Sequence, residues 1–393
     1  MIGARIEIAG TLRVVSPLHI GTGGGREVAR GDGTAQIGAI ARDHLGKPYL
    51  PGSSIKGVLR RLWEDDDGIF GKKEIREAKD AVSGAVIFRN AWMLGARAEC
   101  TFVAAHVAIE GATGVAKSGL LFQDDMVTPG TEFGLRLAVM NGHKDVLATA
   151  RALLARMTVP AGVAFGGGTR LGDGRLRLEP TITLTYHPEG RKETIKLTVQ
   201  PTDEPRWRLR LHSDVPFLIH DPDRSEAGGE GRKNVLRGLP DFDGKGERLT
   251  GSSLMGALRA AFAVHAARVD PAEAAVLTDT LFGTARGRGW LAVRAIRADA
   301  AGALKSTTSV KIDRFSGATI DNALFATEGH VGTSFVVDLV TQDRKGIPAN
   351  EVEAADAAFR AFLAELSDDI WGGLMLGHAA GRGYGWFTVK EVK

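Results

Sequence analysis

The chain repeats itself. The segment LPGSSIKGVLRRLW from Leu50 returns as LTGSSLMGALRAAF from Leu249, and the same displacement carries Pro17 onto Pro216. A strand-like stretch precedes the motif each time, ARIEIAGTLRVVSPLHIG in one copy and RWRLRLHSDVPFLIHD in the other, and a loop rich in glycine and charge follows it. After the motif both copies run a helix into IFG at 69–71 or LFG at 281–283. Then HVAIEGATGVAKSGLLFQDDMVTPGTEFGLRLAV from His106 parallels SVKIDRFSGATIDNALFATEGHVGTSFVVDLV from Ser309, with Gly114 opposite Gly317. Each copy closes with an amphipathic helix, ATARALLARM or AFRAFLAEL, a glycine loop and a strand. In those loops Gly166, Gly172 and Gly174 pair with Gly377, Gly383 and Gly385. Matched segments in one order are the signature of a duplicated module.

Length agrees, because 393 residues exceed one ordinary hydrophobic core. The expected division is 1–200 and 207–393, with the polar, proline-containing PTDEP inside a linker at 201–206. Strand, loop, helix, two or three strands, helix and strand predict an α+β class. The order resembles a β-α-β-β-α-β ferredoxin-like unit with inserted loops, an antiparallel sheet carrying its helices on one face. No run of about 18 apolar residues suggests a membrane span. The start, MIGARIEIAGTLRVV, alternates like a strand and lacks the order of a secretory signal. A single cysteine, Cys100, excludes an internal disulfide and a Cys-rich zinc site. The expected location is therefore the cytoplasm.

A net charge of +3 does not announce a nucleic-acid binder, although it leaves room for local patches. In PGSSIKG the proline and glycine make a turn, and Ser53 or Ser54 is placed to cap the following helix. A helix N-terminus offers amides and a positive dipole to an anion, and Lys56 and Arg60 add charge beside it. The second copy has Ser252, Ser253 and Arg259 in place but Met255 for the lysine. A plain cap explains the motif equally well. The terminal glycine loops carry Arg170 and Arg382 and lack the Lys-Ser/Thr ending of a nucleotide-binding P-loop. They read either as bare backbone that lets RNA phosphates approach or as tight turns. Segments 107–121 and 310–324 read as hairpins, either projecting with apolar tips or buried in a core. Catalytic groupings are thin. The ten histidines show no metal-ligand spacing. His19 and His378 stand alone, and the adjacent Asp124 and Asp125 read as solvated loop carboxylates.

Taken together, HIGTG at His19, LPGSSIKG at Leu50, IFG and LFG, IDRFSGA at Ile312 and GRGYGWF at Gly381 resemble the RAMP superfamily. These are the repeat-associated proteins that form the spine of type III CRISPR effector complexes. The resemblance covers nearly the whole chain, twice. It implies RNA-recognition-motif-like folds that bind the backbone of crRNA, with 107–121 and 310–324 as thumbs that kink the duplex of guide and target RNA. Carried onto this sequence, the RNA contacts would be His19, Gly21, Ser53, Ser54, Lys56, Arg60 and Arg170 in the first copy. Ser252, Ser253, Arg259, Arg286, Arg382 and Gly383 would serve in the second. The implied partners are crRNA, target RNA and other type III subunits. In related backbone subunits a loop aspartate before the PGSS motif cuts target RNA with a divalent metal. Counting back from PGSS reaches Gln36 or Ile37 and, in the second copy, Val235, none of them acidic. Counting forward from His19 reaches Asp32, and Asp221 and Asp223 are the alternatives in copy two. The expectation is a crRNA-binding double backbone subunit, with Mg²⁺ required only if it cleaves. The alternative is a capping, protein-binding subunit without catalysis.

Overall fold

The structure is a computed structural model that describes residues 5–30, 33–63, 67–72, 82–95, 100–109, 116–140, 144–226, 234–284, 287–342 and 348–392. The chain divides into two compact units, Met1–Thr169 with Asp173–Glu204, and Arg170–Gly172 with Pro205–Lys393.

The first unit starts with β1 (Arg5–Val14), whose even positions Ile6, Ile8, Leu12 and Val14 are buried. This is the period-two pattern of a strand with one face on a core. Next come β2 (Gly21–Arg30), β3 (Gly33–Ile40), β4 (Tyr49–Leu50), α1 (Gly52–Leu62) and the short α2 (Asp67–Phe70). β5 (Val86–Phe88), β6 (Ala91–Met93), β7 (Thr101–Ile109), β8 (Ala116–Val127) and β9 (Glu132–Met140) follow. The unit closes with α3 (Lys144–Ala155), β10 (Val163–Ala164), β11 (Arg175–Leu178), β12 (Thr181–His187) and β13 (Arg191–Lys196). Its main sheet runs β10-β11-β1-β9-β6-β4, and a second sheet runs β2-β3-β8-β7. Ile55 and Leu59 of α1 and Leu153 and Leu154 of α3 share one core with the even residues of β1. Both helices therefore cover the same face. The odd residues turn the other way and pair ionically, Arg13 with Glu132 at 2.6 Å and Glu7 with Arg89 at 3.2 Å.

The second unit contains β14 (Trp207–Ser213), β15 (Asn234–Leu236), α4 (Gly251–Val269) and α5 (Ala274–Phe282). It continues through β16 (Leu291–Ile312), β17 (Thr319–Thr341), α6 (Ala349–Leu366), β18 (Leu374–Met375) and β19 (Trp386–Glu391). Its sheet runs β15-β17-β14-β19-β18, with β16 on β17. Trp207, Leu209 and Leu211 of β14 pack with Phe262 of α4 and Phe359 of α6 in one core. In each unit the first strand lies between the strand that follows the terminal glycine loop and the antiparallel partner that precedes the last long helix. This is β11-β1-β9 in one unit and β19-β14-β17 in the other. The class is α+β. No described helix is long and apolar enough to cross a membrane.

Two expectations change. The 310–324 hairpin is only the end of a much longer ribbon, because β16 and β17 stay paired from Leu291↔Thr341 out to Ile312↔Thr319. Register shifts at Val293/Ala295 and Ala298/Ala300 mark bulges, which bend and twist a ribbon. Neither Ser53 nor Ser54 caps α1. Pro51 occupies the N-cap without a side-chain bond, and the Gly52 amide donates instead to Asn90 Oδ1 at 2.9 Å. In the second unit the cap is Thr250, whose side chain accepts from the Ser253 amide.

The paired glycines of the terminal loops give the first test. Gly174 and Gly385 have φ of +72° and +71°, and a Cβ there would lie 2.0 Å from the Phe165 carbonyl oxygen and 1.8 Å from that of Leu376. Gly174→Ala or Gly385→Ala should lower the free energy of urea unfolding by about 2 kcal/mol or more. Gly256→Ala, inside α4 with nothing within 4 Å of a new Cβ, should raise it by about 0.5–1 kcal/mol.

Candidate nucleic-acid interface

In each unit the end of the segment after the first strand meets the terminal glycine loop through backbone alone. The Gly167 amide donates to the His19 carbonyl at 2.9 Å, and the His378 amide to the Leu218 carbonyl at 2.9 Å. A Cβ on Gly166 would stand 2.0 Å from the His19 oxygen, and one on Gly377 would stand 2.4 Å from the Leu218 oxygen. Gly166 with Gly377 and Gly174 with Gly385 are thus demanded by close backbone approach. Beyond that knot Gly383 is open. Its φ is +81° and nothing lies within 4 Å of a Cβ. The neighbouring Arg382 is exposed and lies 5.0 Å over the Phe325 ring. Arg170, from the other loop, is placed differently. Arg170–Gly172 belong to the second unit, where its guanidinium donates to the Phe282 carbonyl and Leu171 bridges to Val293.

The motif helices put their arginines to an internal use that sequence reasoning missed. Arg60 donates to the Gly71 carbonyl and lies 5.5 Å over Phe70, while Arg259 donates to the Gly283 carbonyl and pairs with Asp279 at 2.9 Å. Each arginine thus ties the PGSS or TGSS helix to the glycine of IFG or LFG. The co-occurrence of both motifs in both copies was the available signal. Ser53 is exposed and Lys56 half-buried, and Lys56 has no hydrogen bond or ion pair among the described residues. The Thr250 hydroxyl donates to Ser253 Oγ at 2.8 Å and lies 3.2 Å from Ser252 Oγ. Gly21 is exposed, and a Cβ there would lie 2.8 Å from His19 Nε2.

Asp124 and Asp125 are not on a surface loop. Both lie in β8, and Asp125 is buried at 1% exposure. Arg26 grips it with two bonds of 2.7 and 2.6 Å, and Arg42 approaches to 3.5 Å. Burial pushes this carboxyl up, but the hydrogen bonds and charges of Arg26 and Arg42 outweigh burial and hold it below the usual range. His106 stacks on Phe122 at 4.9 Å, and burial holds its imidazole below the ordinary value.

Of the candidate metal-binding aspartates, Asp32 lies outside the described residues, as do Arg286 and positions 110–115 of the first thumb. Asp221 is nearly buried. Its Oδ1 accepts from the Asp223 amide at 3.0 Å, and its carbonyl accepts from the amide and hydroxyl of Ser225. These bonds shape the loop. Close by, Glu247, His330, Arg224 and Arg237 line a cavity of about 200 Å³. Burial raises the Glu247 carboxyl to about 8, so a neutral acid stands where a metal ligand would need charge. Among the described residues no group of three His, Cys, Asp or Glu side chains is placed to hold a metal. The hydrogen bonds of Asp221 go to its own loop, and no third such side chain joins Asp221 and Asp223 among the described residues.

A sequence model of the RAMP superfamily matches residues 11–177 and again 216–388. The chain belongs to the RAMP superfamily. Each match spans one repeat, from within β1 to within β11 in the first and from just after β14 to within β19 in the second, so the superfamily module occurs twice. The chain is also similar to the CRISPR system Cms endoribonuclease Csm3 of Mycobacterium tuberculosis (strain ATCC 25618 / H37Rv). The two are 30% identical over 159 residues, 34% of this RAMP chain, and the match spans 63% of that relative's length.

Glu247 makes the RAMP fold of the second unit pH-sensitive. A carboxyl whose folded value lies above its ordinary 4.5 stays protonated in the fold while the unfolded chain ionises, so stability falls as pH rises from 4.5 toward 8. His330, 3.1 Å away and held low by burial, acts oppositely at the acid end, where protonation favours unfolding. The urea midpoint should therefore decline between pH 5 and 8 more steeply in wild type than in Glu247→Gln.

Proposed function

We propose that this chain is a scaffold subunit of a type III CRISPR ribonucleoprotein that lies along crRNA, each unit holding part of the guide. On this reading both units are ferredoxin-like RAMP folds and work in the cytoplasm. The sheet order supports the fold assignment. The last, first, third and second core strands neighbour one another as β11-β1-β9-β6 and as β19-β14-β17-β16.

The observation that carries the functional reading is the tip of the β16–β17 ribbon. Phe315 is fully exposed at 101%, with Val310, Ile312, Ile320 and Leu324 exposed behind it. The turn is built to present that ring. Asp313 Oδ1 accepts from the Phe315 and Ser316 amides and from the Ser316 hydroxyl, and Gly317 completes the turn at φ +69°. An apolar ring on an otherwise unsupported tip gains by entering a stack of bases, where unstacking one step costs a few kcal/mol. Arg382 and the open backbone at Gly383 suit a phosphate on the same unit.

A second reading, a capping subunit that binds protein and touches RNA little, draws on another exposed pair. Ile370 and Trp371 are 78% and 85% exposed on a turn held by Asp368 Oδ1. Gel shifts of the full chain with single-stranded RNA across a salt series separate the two. For an RNA scaffold, log affinity falls linearly with log salt, by about 0.7 per phosphate neutralised. Arg382→Ala should reduce that slope by about one contact, while Phe315→Ala should weaken binding at unchanged slope. Absence of binding at low salt overturns the scaffold and favours the cap.

A further inference from the structure

The duplication places different side chains at one spot. The displacement that carries Pro17 onto Pro216 carries Gly21 onto His220, and the pairing of Gly166 with Gly377 carries Gly167 onto His378. In the first unit both glycines face the imidazole of His19. A Cβ on Gly21 would lie 2.8 Å from its Nε2, and one on Gly167 would lie 3.3 Å from its Cδ2. The second unit has Leu218 in place of His19 and an imidazole at each flanking position. Glycine serves at both positions in the first unit, so the backbone path asks for neither histidine.

Main-chain bonds hold both histidines in place. The His378 amide donates to the Leu218 carbonyl at 2.9 Å. His220 bridges to Gly238, flanked by bonds of 2.8 Å from the Asp221 amide to the Arg237 carbonyl and from the Leu239 amide to the Ile219 carbonyl. The two rings stand 5.5 Å apart, centroid to centroid, with their planes tilted by 37°. His220 Nε2 is buried and has no hydrogen-bond partner among the described residues. A buried polar atom without a partner is costly, and an ion is one of the groups that satisfies it. Imidazole is also the commonest side-chain ligand of metals. With a metal–nitrogen bond of about 2.1 Å each centroid sits about 3.2 Å from the ion, so two ligands at about 110–120° have centroids about 5.2–5.5 Å apart. The spacing of the His220 and His378 rings agrees with that arrangement.

We propose that His220 and His378 form a two-histidine site, confined to the second unit, for a late first-row divalent cation such as Zn²⁺ or Ni²⁺. These ions suit imidazole, whereas Mg²⁺ prefers oxygen. Among the described residues no third His, Cys, Asp or Glu side chain completes a set. The ion therefore keeps positions open to water or to an oxygen anion, unlike the closed four-ligand set of a structural zinc site. Arg382 acts on His378 electrostatically, and its charge opposes a cation there. The site needs no RNA and stands apart from the scaffold reading.

The test is calorimetric titration of ZnCl₂ and of NiCl₂ into the full, EDTA-stripped and desalted chain, without RNA. Wild type should take up one ion per chain at this site. Loss of an outer-sphere partner alone costs a metal site about 10–100-fold in affinity, so His220→Ala and His378→Ala, which each remove a ligand, should each weaken uptake at least about 100-fold. Because either substitution could loosen its loop, the urea midpoint is read with and without Ni²⁺. The ion should raise it in wild type and in neither variant. Arg382→Ala should tighten uptake while it weakens RNA binding, so one substitution moves the two readings in opposite directions. No uptake by wild type, uptake that either histidine variant keeps, or uptake that Arg382→Ala weakens overturns the metal site and leaves the scaffold standing. Absence of RNA binding with uptake intact overturns the scaffold alone.

Discussion

Everything near the interface depends on one kind of contact, a glycine amide or a bare glycine Cα pressed against a main-chain carbonyl. The His19 and Leu218 carbonyls are each met by the loop that leads into the last strand, and the Phe165 and Leu376 carbonyls are met by Gly174 and Gly385. The His19 and Leu218 carbonyls find donors in the Gly167 and His378 amides, which the bare Cα of Gly166 and Gly377 lets close in, while the Gly174 and Gly385 amides donate to the Pro17 and Pro216 carbonyls. The strand after the loop can then enter the sheet beside the first, as β11 does beside β1 and β19 beside β14.

The second recurring device is the arginine from the motif helix to the glycine carbonyl of IFG or LFG. It joins a helix that packs on the sheet to a turn that precedes the next strands. A guanidinium suits the task because its planar fork serves a carbonyl and a neighbouring ring or carboxylate together, as Arg60 does with Gly71 and Phe70 and Arg259 with Gly283 and Asp279. Both guanidiniums thus serve the fold while staying partly exposed.

Duplication, fold class and element order were legible because they rest on periodicity and on repeated glycine positions. The physical reason for those glycines was not, since a turn, a phosphate cradle and a close carbonyl contact all ask for the same residue. The cap of α1 was misread because Asn90, far along the chain, supplies the acceptor that Ser53 or Ser54 was expected to supply. The Asp124–Asp125 pair was misread because adjacent carboxylates look solvated until Arg26 and Arg42 are brought to one of them by the β2-β3-β8 pairing.

The ribbon of β16 and β17 has a mechanical side. β14 supports it as far as Thr333 and β15 as far as Phe325, after which the two strands pair, among the described residues, with each other to the turn at Asp313. At about 3.3 Å per residue that last stretch is a lever of roughly 20 Å. A two-stranded ribbon is compliant across its face and stiff along its length. Force on the Phe315 ring would thus be absorbed first by bending beyond Phe325, and only a pull along the strands would reach the sheet directly.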